Sequence, residues 1–506
     1  MFKKIFFFLF VTSTILFSQT LPNFLKDSID VYVSKALKES KIPGLAVCVV
    51  KDGKVTFIKG YGVKNISENN PVDENTLFLI GSNTKAFTGT SLAILEQEGK
   101  CSLTDKVKKW LADFNMKDDW VENELNLQDI VSHRIGMETF QGDFMYWDSD
   151  LSSSEILEKF GKLTPKYPFR TKWGYTNAGF VIAGEVIKKV SGISWDEFIE
   201  ERFFKPLEMN NSLALTSEIN EKLNIAIPYT LVDNKLVKIP YPKIDNLAAA
   251  GSISSSVSDM SHWLIALLDS GKYNCKEVFP FKAIQTSRRP LSIIGNASNP
   301  FDRNPFNLYG MGWEIENYRG NTIVSHTGGV DGFVTSVTLL PKEKLGVVVL
   351  TNTDANVFYQ ALKWQIIDAY LNAPYNNYYT FYSNAVQKQD ERQQKYLSAM
   401  RDSVKMNLKP TVPLEQFEGT YKHEVFGEIE IEKDGNNLKM VFKDNHPDLV
   451  GKLESIGDDK FLCTYSQEIF GIKEIPFVVE NGKVKSFTLS VADFVEFTTY
   501  NFVKED

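Results

Sequence analysis

Apolar positions follow three different rhythms along this chain. Between Gly44 and Gly62 the sequence GLAVCVVKDGKVTFIKGYG sets two apolar runs around Asp52-Gly53, which predicts two strands joined by a tight turn. The pattern returns at 332–352, GFVTSVTLLPKEKLGVVVLTN, where two apolar strands flank Pro341 to Leu345. Helical spacing dominates in between. NAGFVIAGEVIKKVSG predicts a helix stopped near Gly192, and SDMSHWLIALLDSGK one capped by Ser258 and stopped near Gly271. Another helix is expected at 23–40, with Asn23 as its cap and Phe24, Leu25, Ile29, Val33 and Leu37 along one face. Helices inserted between early and late sheet segments predict a mixed α/β domain.

After Tyr379 the chain turns polar and helical, QKQDERQQKYLSAMRDSVK, until Pro410 and Pro413 close the segment. From Leu414 onward, short alternating runs separated by Asp-Gly, Gly-Asn and Asn-Gly turns predict a small all-β sandwich or barrel. The expected organisation is a leader at 1–18, a main domain at 19–375, a helical linker at 376–411 and a β domain at 412–506.

Length and charge narrow the function classes. A chain of 506 residues exceeds one ordinary core, and 43% hydrophobic with 24% charged residues is a globular composition. The formal charge of −8, with no basic run, argues against a nucleic-acid partner. The start, MFKKIFFFLFVTSTILFSQT, has Lys3 and Lys4 before an apolar run from Ile5 to Phe17 and then Ser18, the layout of a secretory signal. That run is shorter than the ~20 residues a spanning helix needs, so no stable membrane insertion is expected after cleavage. Export places the protein in a periplasmic or extracellular space. Cys48, Cys101, Cys275 and Cys463 form no C-x-x-C pair and read as buried apolar residues. His133, His262, His326, His423 and His446 are dispersed, so no metal site and no cofactor is expected.

Ser82 and Lys85 stand where a strand-like run gives way to a helix, in LFLIGSNTKAFTGTSLAILEQEGK. At i and i+3 they lie roughly 4.5 Å apart along the axis, within reach of each other. The following residues carry little charge before Glu96, so Lys85 is partly desolvated and its pKa falls. A neutral Lys85 can take the Ser82 proton and make a nucleophile; a serine cap beside a solvated lysine is the blander alternative. In KWGYTNAGF, Tyr175 offers a phenol for proton relay and Asn177 an amide for a substrate carbonyl and the lysine. In VSHTGGVDGF, His326 and Thr327 precede Gly328 and Gly329, where the missing side chains let a substrate backbone approach. The N–H groups of Ser82 and Gly329 together suit an oxyanion hole. His326 is available to offer a proton or to bind a carboxylate.

These three boxes, in this order, resemble those of the penicillin-recognising serine hydrolases: class C β-lactamases, D-alanyl-D-alanine carboxypeptidases, D-aminopeptidases and related esterases. PLEMNNS, AAAGSISSSVSDMSHW, YGMGW and GVVVLTN add to the likeness, which spans roughly Ser28 to Leu371. It implies a β-lactamase/DD-peptidase-like antiparallel sheet flanked by helices, plus a helical cluster. It also implies Ser82 as acyl-enzyme nucleophile, Lys85 and Tyr175 as acid/base pair, and Asn177, His326, Thr327 and Gly328 as substrate contacts. The expected substrates are small peptides containing D-amino acids, then esters or β-lactams; a slowly deacylating penicillin- or peptide-binding sensor would carry the same boxes. Two positions depart from the pattern. His326 stands where class C β-lactamases carry lysine, and Arg134-Ile135 stand where many relatives read T-S. Tyr146 and Trp147 either wall the cleft or pack in the core. The segment from Leu414 resembles the lipocalin-like β domain appended to some of these hydrolases, a unit suited to covering the cleft, restricting substrate size or mediating assembly.

Overall fold

The computed structural model describes residues 21–220, 222–295, 299–301 and 306–505; the leader read at 1–18 lies outside the described residues. Strand Gly44–Lys51 is apolar until its last residue, so both of its faces need cover. Ala46, Cys48 and Val50 enter one core and Leu45, Val47 and Val49 the other, as the two-residue period of a strand requires. This strand turns back at Asp52-Gly53 to pair with Lys54–Asn65, and its other edge pairs with Leu345–Thr351 from Leu45↔Thr351 to Lys51↔Leu345. The early and late hairpins thereby join one nine-stranded sheet. Its order is Ser292–Gly295, Asn307–Tyr309, Glu314–Tyr318, Asn321–Val330, Phe333–Leu340, Leu345–Thr351, Gly44–Lys51, Lys54–Asn65, Asn70–Pro71. Every pairing in it is antiparallel.

Helices Ile29–Glu39 and Phe358–Tyr370 cover one face. Against the other lie Thr84–Gln97, Asn177–Ser191 and Val257–Leu268. Three expectations need correction. The Val257–Leu268 helix is capped by Ser256, whose side chain accepts the Asp259 N–H from an extended backbone; Ser258 is already inside the helix. Asn23 makes no side-chain cap bond, because the helix opens with a π-turn at Phe24–Ser28. Cys48, Cys101 and Cys463 are buried and unbridged, but Cys275 is exposed in the turn between Lys272–Tyr273 and Lys276–Glu277, with φ of 62°.

Helix Tyr378–Lys405 leads to a closed barrel of eight strands between Gly419 and Lys504, each antiparallel to the next. The last strand returns to the first at Tyr421↔Lys504, which removes the edges that would otherwise seek a partner. Phe417, Tyr421, Phe461, Phe477, Phe487 and Phe502 fill the interior, with ring centroids 5.0 to 5.3 Å apart. The barrel's mouth faces the helical side of the first domain, where the candidate residues gather.

Candidate active site

Ser82 lies in a single 3₁₀ turn, Gly81–Asn83, between the short strand Phe78–Leu79 and helix Thr84–Gln97. That helix is buried from Thr84 through Leu95, a consequence of the uncharged run seen in the sequence. Lys85 is therefore fully buried one turn after Ser82. Its Nζ is 3.0 Å from Ser82 Oγ, 2.6 Å from Asn177 Oδ1 and 2.8 Å from the Ala250 carbonyl.

Two of those three neighbours are carbonyl oxygens, which only accept. A neutral amine spends its two N–H bonds on them and turns its lone pair to the remaining neighbour, a hydroxyl that can donate. Burial pushes Lys85 down to about 7, against the opposing pull of Asp143. Tyr175 packs over the same amine, its ring centroid 4.9 Å from Nζ, and its hydroxyl is within hydrogen-bonding reach of Ser82. Burial pushes Tyr175 well above the ordinary phenol range, so it is a neutral proton donor here.

Asn177 opens helix Asn177–Ser191, and Asp143 settles its orientation. Asp143 Oδ2 accepts from Asn177 Nδ2 at 2.6 Å, which leaves Oδ1 facing Lys85. The Tyr146 hydroxyl donates to the other Asp143 oxygen and accepts the Ala178 N–H at 3.1 Å. Burial pushes Asp143 up to about 7 despite these bonds and the Lys85 charge. Tyr146 thus belongs to the packing of this chain of contacts, while Trp147 lines the cleft and donates Nε1–H to Asp331 at 2.9 Å.

Strand Asn321–Val330 brings the third box to the nucleophile turn. A Cβ on Gly81 would lie 3.1 Å from the Gly329 nitrogen, so the two backbones touch. Gly328 serves the packing of the strand. A Cβ there would meet the Ile80 carbonyl oxygen at 1.8 Å, and its lack of one lets the strand close against the turn. His326 also departs from expectation. Its Nδ1 faces the Thr327 carbonyl at 2.5 Å, so Nδ1 holds the proton, and its Nε2 accepts from the Tyr309 hydroxyl at 2.8 Å. Burial and the Lys85 charge push it down to about 3. A neutral imidazole with both nitrogens engaged neither donates a proton to substrate nor supplies a positive charge for a carboxylate.

Ser82, Tyr175, Asn177, His326, Thr327 and Gly329 line one cavity of about 290 Å³. Lys85 lies behind it, and Gly328 takes part through its backbone contact. The cavity is also lined by residues that sequence reasoning passed over: Asp143, Thr139, Phe140, Trp173, Glu314 and, from the barrel, Phe494. Arg134 does not reach the cavity; with Arg170 it clasps the fully buried Asp129, at 2.7 Å each, and fixes the turn below. His133 stacks under Tyr175 at 4.3 Å and accepts the Thr176 N–H. Among the described residues no group of three metal-ligating side chains exists, and no helix is long and apolar enough to cross a membrane.

The family model described as Beta-lactamase matches residues 29–371, and one described as a domain of unknown function, DUF3471, matches residues 405–504. The chain is 27% identical over 436 residues to the unguisins hydrolase ungD of Aspergillus violaceofuscus (strain CBS 115571), covering 81% of this chain and 76% of that protein. It is 27% identical over 342 residues to protein flp of Staphylococcus aureus (strain MRSA252), covering 66% of this chain and 64% of that protein. Among solved structures, the octameric penicillin-binding protein homologue from Pyrococcus abyssi matches with a TM-score of 0.59 over 94% of this chain and 99% of that one. Its 21% identity makes this a likeness of fold.

Proposed function

This chain belongs to the Beta-lactamase family, and from that premise we propose that it is an exported serine hydrolase that cleaves amide or ester bonds through an acyl-Ser82 intermediate. The observation that carries the reading is the Lys85 amine, held by two carbonyl oxygens with its third direction on Ser82 Oγ at 3.0 Å. As Ser82 Oγ bonds to the substrate carbonyl carbon, its proton passes to Lys85 Nζ, and the N–H groups of Ser82 and Gly329 receive the negative oxygen. When the tetrahedral intermediate collapses, the bond to the leaving group breaks and Tyr175 gives that group its proton. Lys85 returns a proton to Tyr175, which leaves acyl-Ser82 and a neutral amine. Water then attacks the ester by the reverse sequence and frees the acid.

For substrates we propose peptides containing D-amino acids, with short esters next. The site favours those that present no carboxylate to the third box. His326 is neutral, and among the described residues lining the cavity none is Lys or Arg. Five aromatic side chains, Phe140, Trp147, Trp173, Tyr175 and Phe494, offer apolar contact instead. This supports an aminopeptidase or esterase mode over a carboxypeptidase or β-lactamase mode. The test is a panel of D-amino-acid amides, D-Ala-D-Ala peptides, nitrocefin and short-chain esters, run with wild type and Ser82→Ala. Ser82-dependent turnover of amides and esters, above that of their carboxylate counterparts, is expected. Hydrolysis that persists in Ser82→Ala, or a preference for the carboxylate series, overturns the reading. N-terminal sequencing of secreted material checks cleavage after Ser18.

A further inference from the structure

The loop that closes the barrel, 490–499, reaches across to the first domain. It presents Phe494 and Phe497, 39% and 52% exposed, outward from a strand pattern that elsewhere buries its aromatics. Phe494 lines the catalytic cavity and lies over Gly329, while Phe497 stacks on Phe140 at 5.7 Å. Between them Glu496 is turned inward and buried. Its Oε1 accepts the Gly142 N–H at 2.8 Å and its Oε2 the Phe144 N–H at 3.0 Å, so one carboxyl grips the main chain on both sides of Asp143. Tyr500 supplies a hydroxyl to the same carboxyl and accepts from Gly142 at 3.0 Å. Phe144 completes the grip from the other direction. Its ring sits among Phe426, Phe442, His446 and Phe470 at the barrel mouth, with centroids 4.8 to 5.9 Å away, and its carbonyl meets His446 Nε2 at 2.6 Å.

We propose that Glu496 is a positioning residue for the Lys85 base: by fixing the backbone around Asp143 it sets the Asp143–Asn177–Lys85 relay, and the barrel thereby completes the catalytic site. The proposal rests on the serine hydrolase reading. Asp143 holds the Asn177 amide, Asn177 holds the amine, and the amine must meet Ser82, so a backbone shift at 142–144 travels the whole line through bonds of 2.6 to 3.0 Å. A misplacement of about 1 Å in such a relay costs about 100-fold in rate. The groups facing Glu496 are Tyr500 on its own domain, Asp143 and Tyr146 on the first, with His446 beside Phe144 and His423 against the Tyr500 ring.

The test uses the full chain with Glu496→Ala, Glu496→Gln and Phe494→Ala, measured on a short-chain ester and normalised to the fraction of Ser82 that a fluorophosphonate labels. Glu496→Ala is expected to lower kcat by about 100-fold with KM little changed, and to displace the acid limb of the pH profile. Glu496→Gln, which keeps the shape and one acceptor, is expected to recover part of the loss. Phe494→Ala is expected to raise KM instead, as removal of a wall. Amide hydrogen exchange read over 138–147 is expected to accelerate in Glu496→Ala and supplies a readout independent of turnover. Unchanged exchange there, or a kcat loss that vanishes on normalisation, overturns the proposal. Absence of any Ser82-dependent turnover in wild type defeats the hydrolase reading instead, and the exchange result still decides whether Glu496 grips the loop. Should Glu496→Ala fail to fold, Glu496→Gln carries both measurements.

Discussion

Replacing Asp143 by asparagine tests which group is the base. The substitution keeps the shape: the amide oxygen introduced at this position still accepts from Asn177, and the new amino group faces Tyr146. The charge is lost, and with it the oxygen that accepts from the Tyr146 hydroxyl. Two hydrogen bonds of 2.6 Å separated by the Asn177 amide join Asp143 to Lys85. The charges are then roughly 7 Å apart, and at an effective dielectric near 20 their attraction is about 2 kcal/mol, or between about 1 and 2 pK units. Asp143 raises Lys85, so its removal must lower it. In wild type, acylation requires the neutral amine, and kcat/KM should climb about tenfold per pH unit below 7 and level off above it. In Asp143→Asn the climb should move to lower pH by about 1 to 2 units with a comparable plateau. The assay is kcat/KM for an ester from pH 5 to 9, corrected for spontaneous hydrolysis. A limb that stays near 7 or moves upward refutes the assignment of Lys85 as base. Loss of the limb altogether assigns it to Asp143.

Tyr175→Phe retains the ring over Lys85 but removes the proton relay, so kcat should fall by about 10²–10⁴ while Ser82 still labels. Asp129 is fully buried between the partly exposed Arg134 and Arg170, and Asp129→Ala should destabilise the first domain by about 1.5–3 kcal/mol, read by denaturant unfolding, because charged hydrogen bonds are lost while both guanidinium groups still reach water. Burial holds Glu496 up at about 8, so the folded chain keeps a proton there that the unfolded chain releases. Its contribution to stability is then complete below its ordinary value near 4.5 and is lost as pH rises through about 8. Thermal unfolding of Glu496→Gln should therefore depend less steeply on pH between 5 and 8 than that of wild type, by an amount on the order of 4 kcal/mol at full effect.

The strands and boxes were readable because their signals are local. A continuous apolar run such as Gly44–Val50 implies cover on both faces wherever its partners come from, and Ser82 and Lys85 are related by one helical turn. Asp143, Phe494 and Glu496 carry no such mark. Asp143 looks like any acid in a loop, and it meets Glu496 only because the barrel folds back over 350 positions later. A weak trace existed in ADFVEF, where two aromatics three apart interrupt the alternation of the barrel strands. The cap of Val257–Leu268 shows the same limit at short range. Several serines compete in SSSVSD, and the one that caps is Ser256, whose extended backbone lets its hydroxyl accept the main-chain N–H of position 259, a conformation the sequence does not mark. His326 misled for a further reason: its charge state depends on Tyr309 and on the Thr327 carbonyl, and neither contact is visible in the triplet itself.

The boundary between the two domains is where the site's electrostatics are decided. Asp143, Glu496 and Asp331 are all buried there, and burial holds them up at about 7, 8 and 8. Each is held up by exclusion of water more than by any neighbouring charge. An ionised Asp143 raises the demand of Glu496 for a proton, and it raises Lys85 as well. Water admitted between barrel and first domain would let these carboxyls ionise, and their charge would pull the lysine back toward its ordinary, protonated state. The Lys85 amine reaches about 7 with the pull of Asp143 already acting on it, so burial outweighs the neighbouring charge. At this boundary Phe144 stacks on Phe426 and His446, and Phe497 on Phe140.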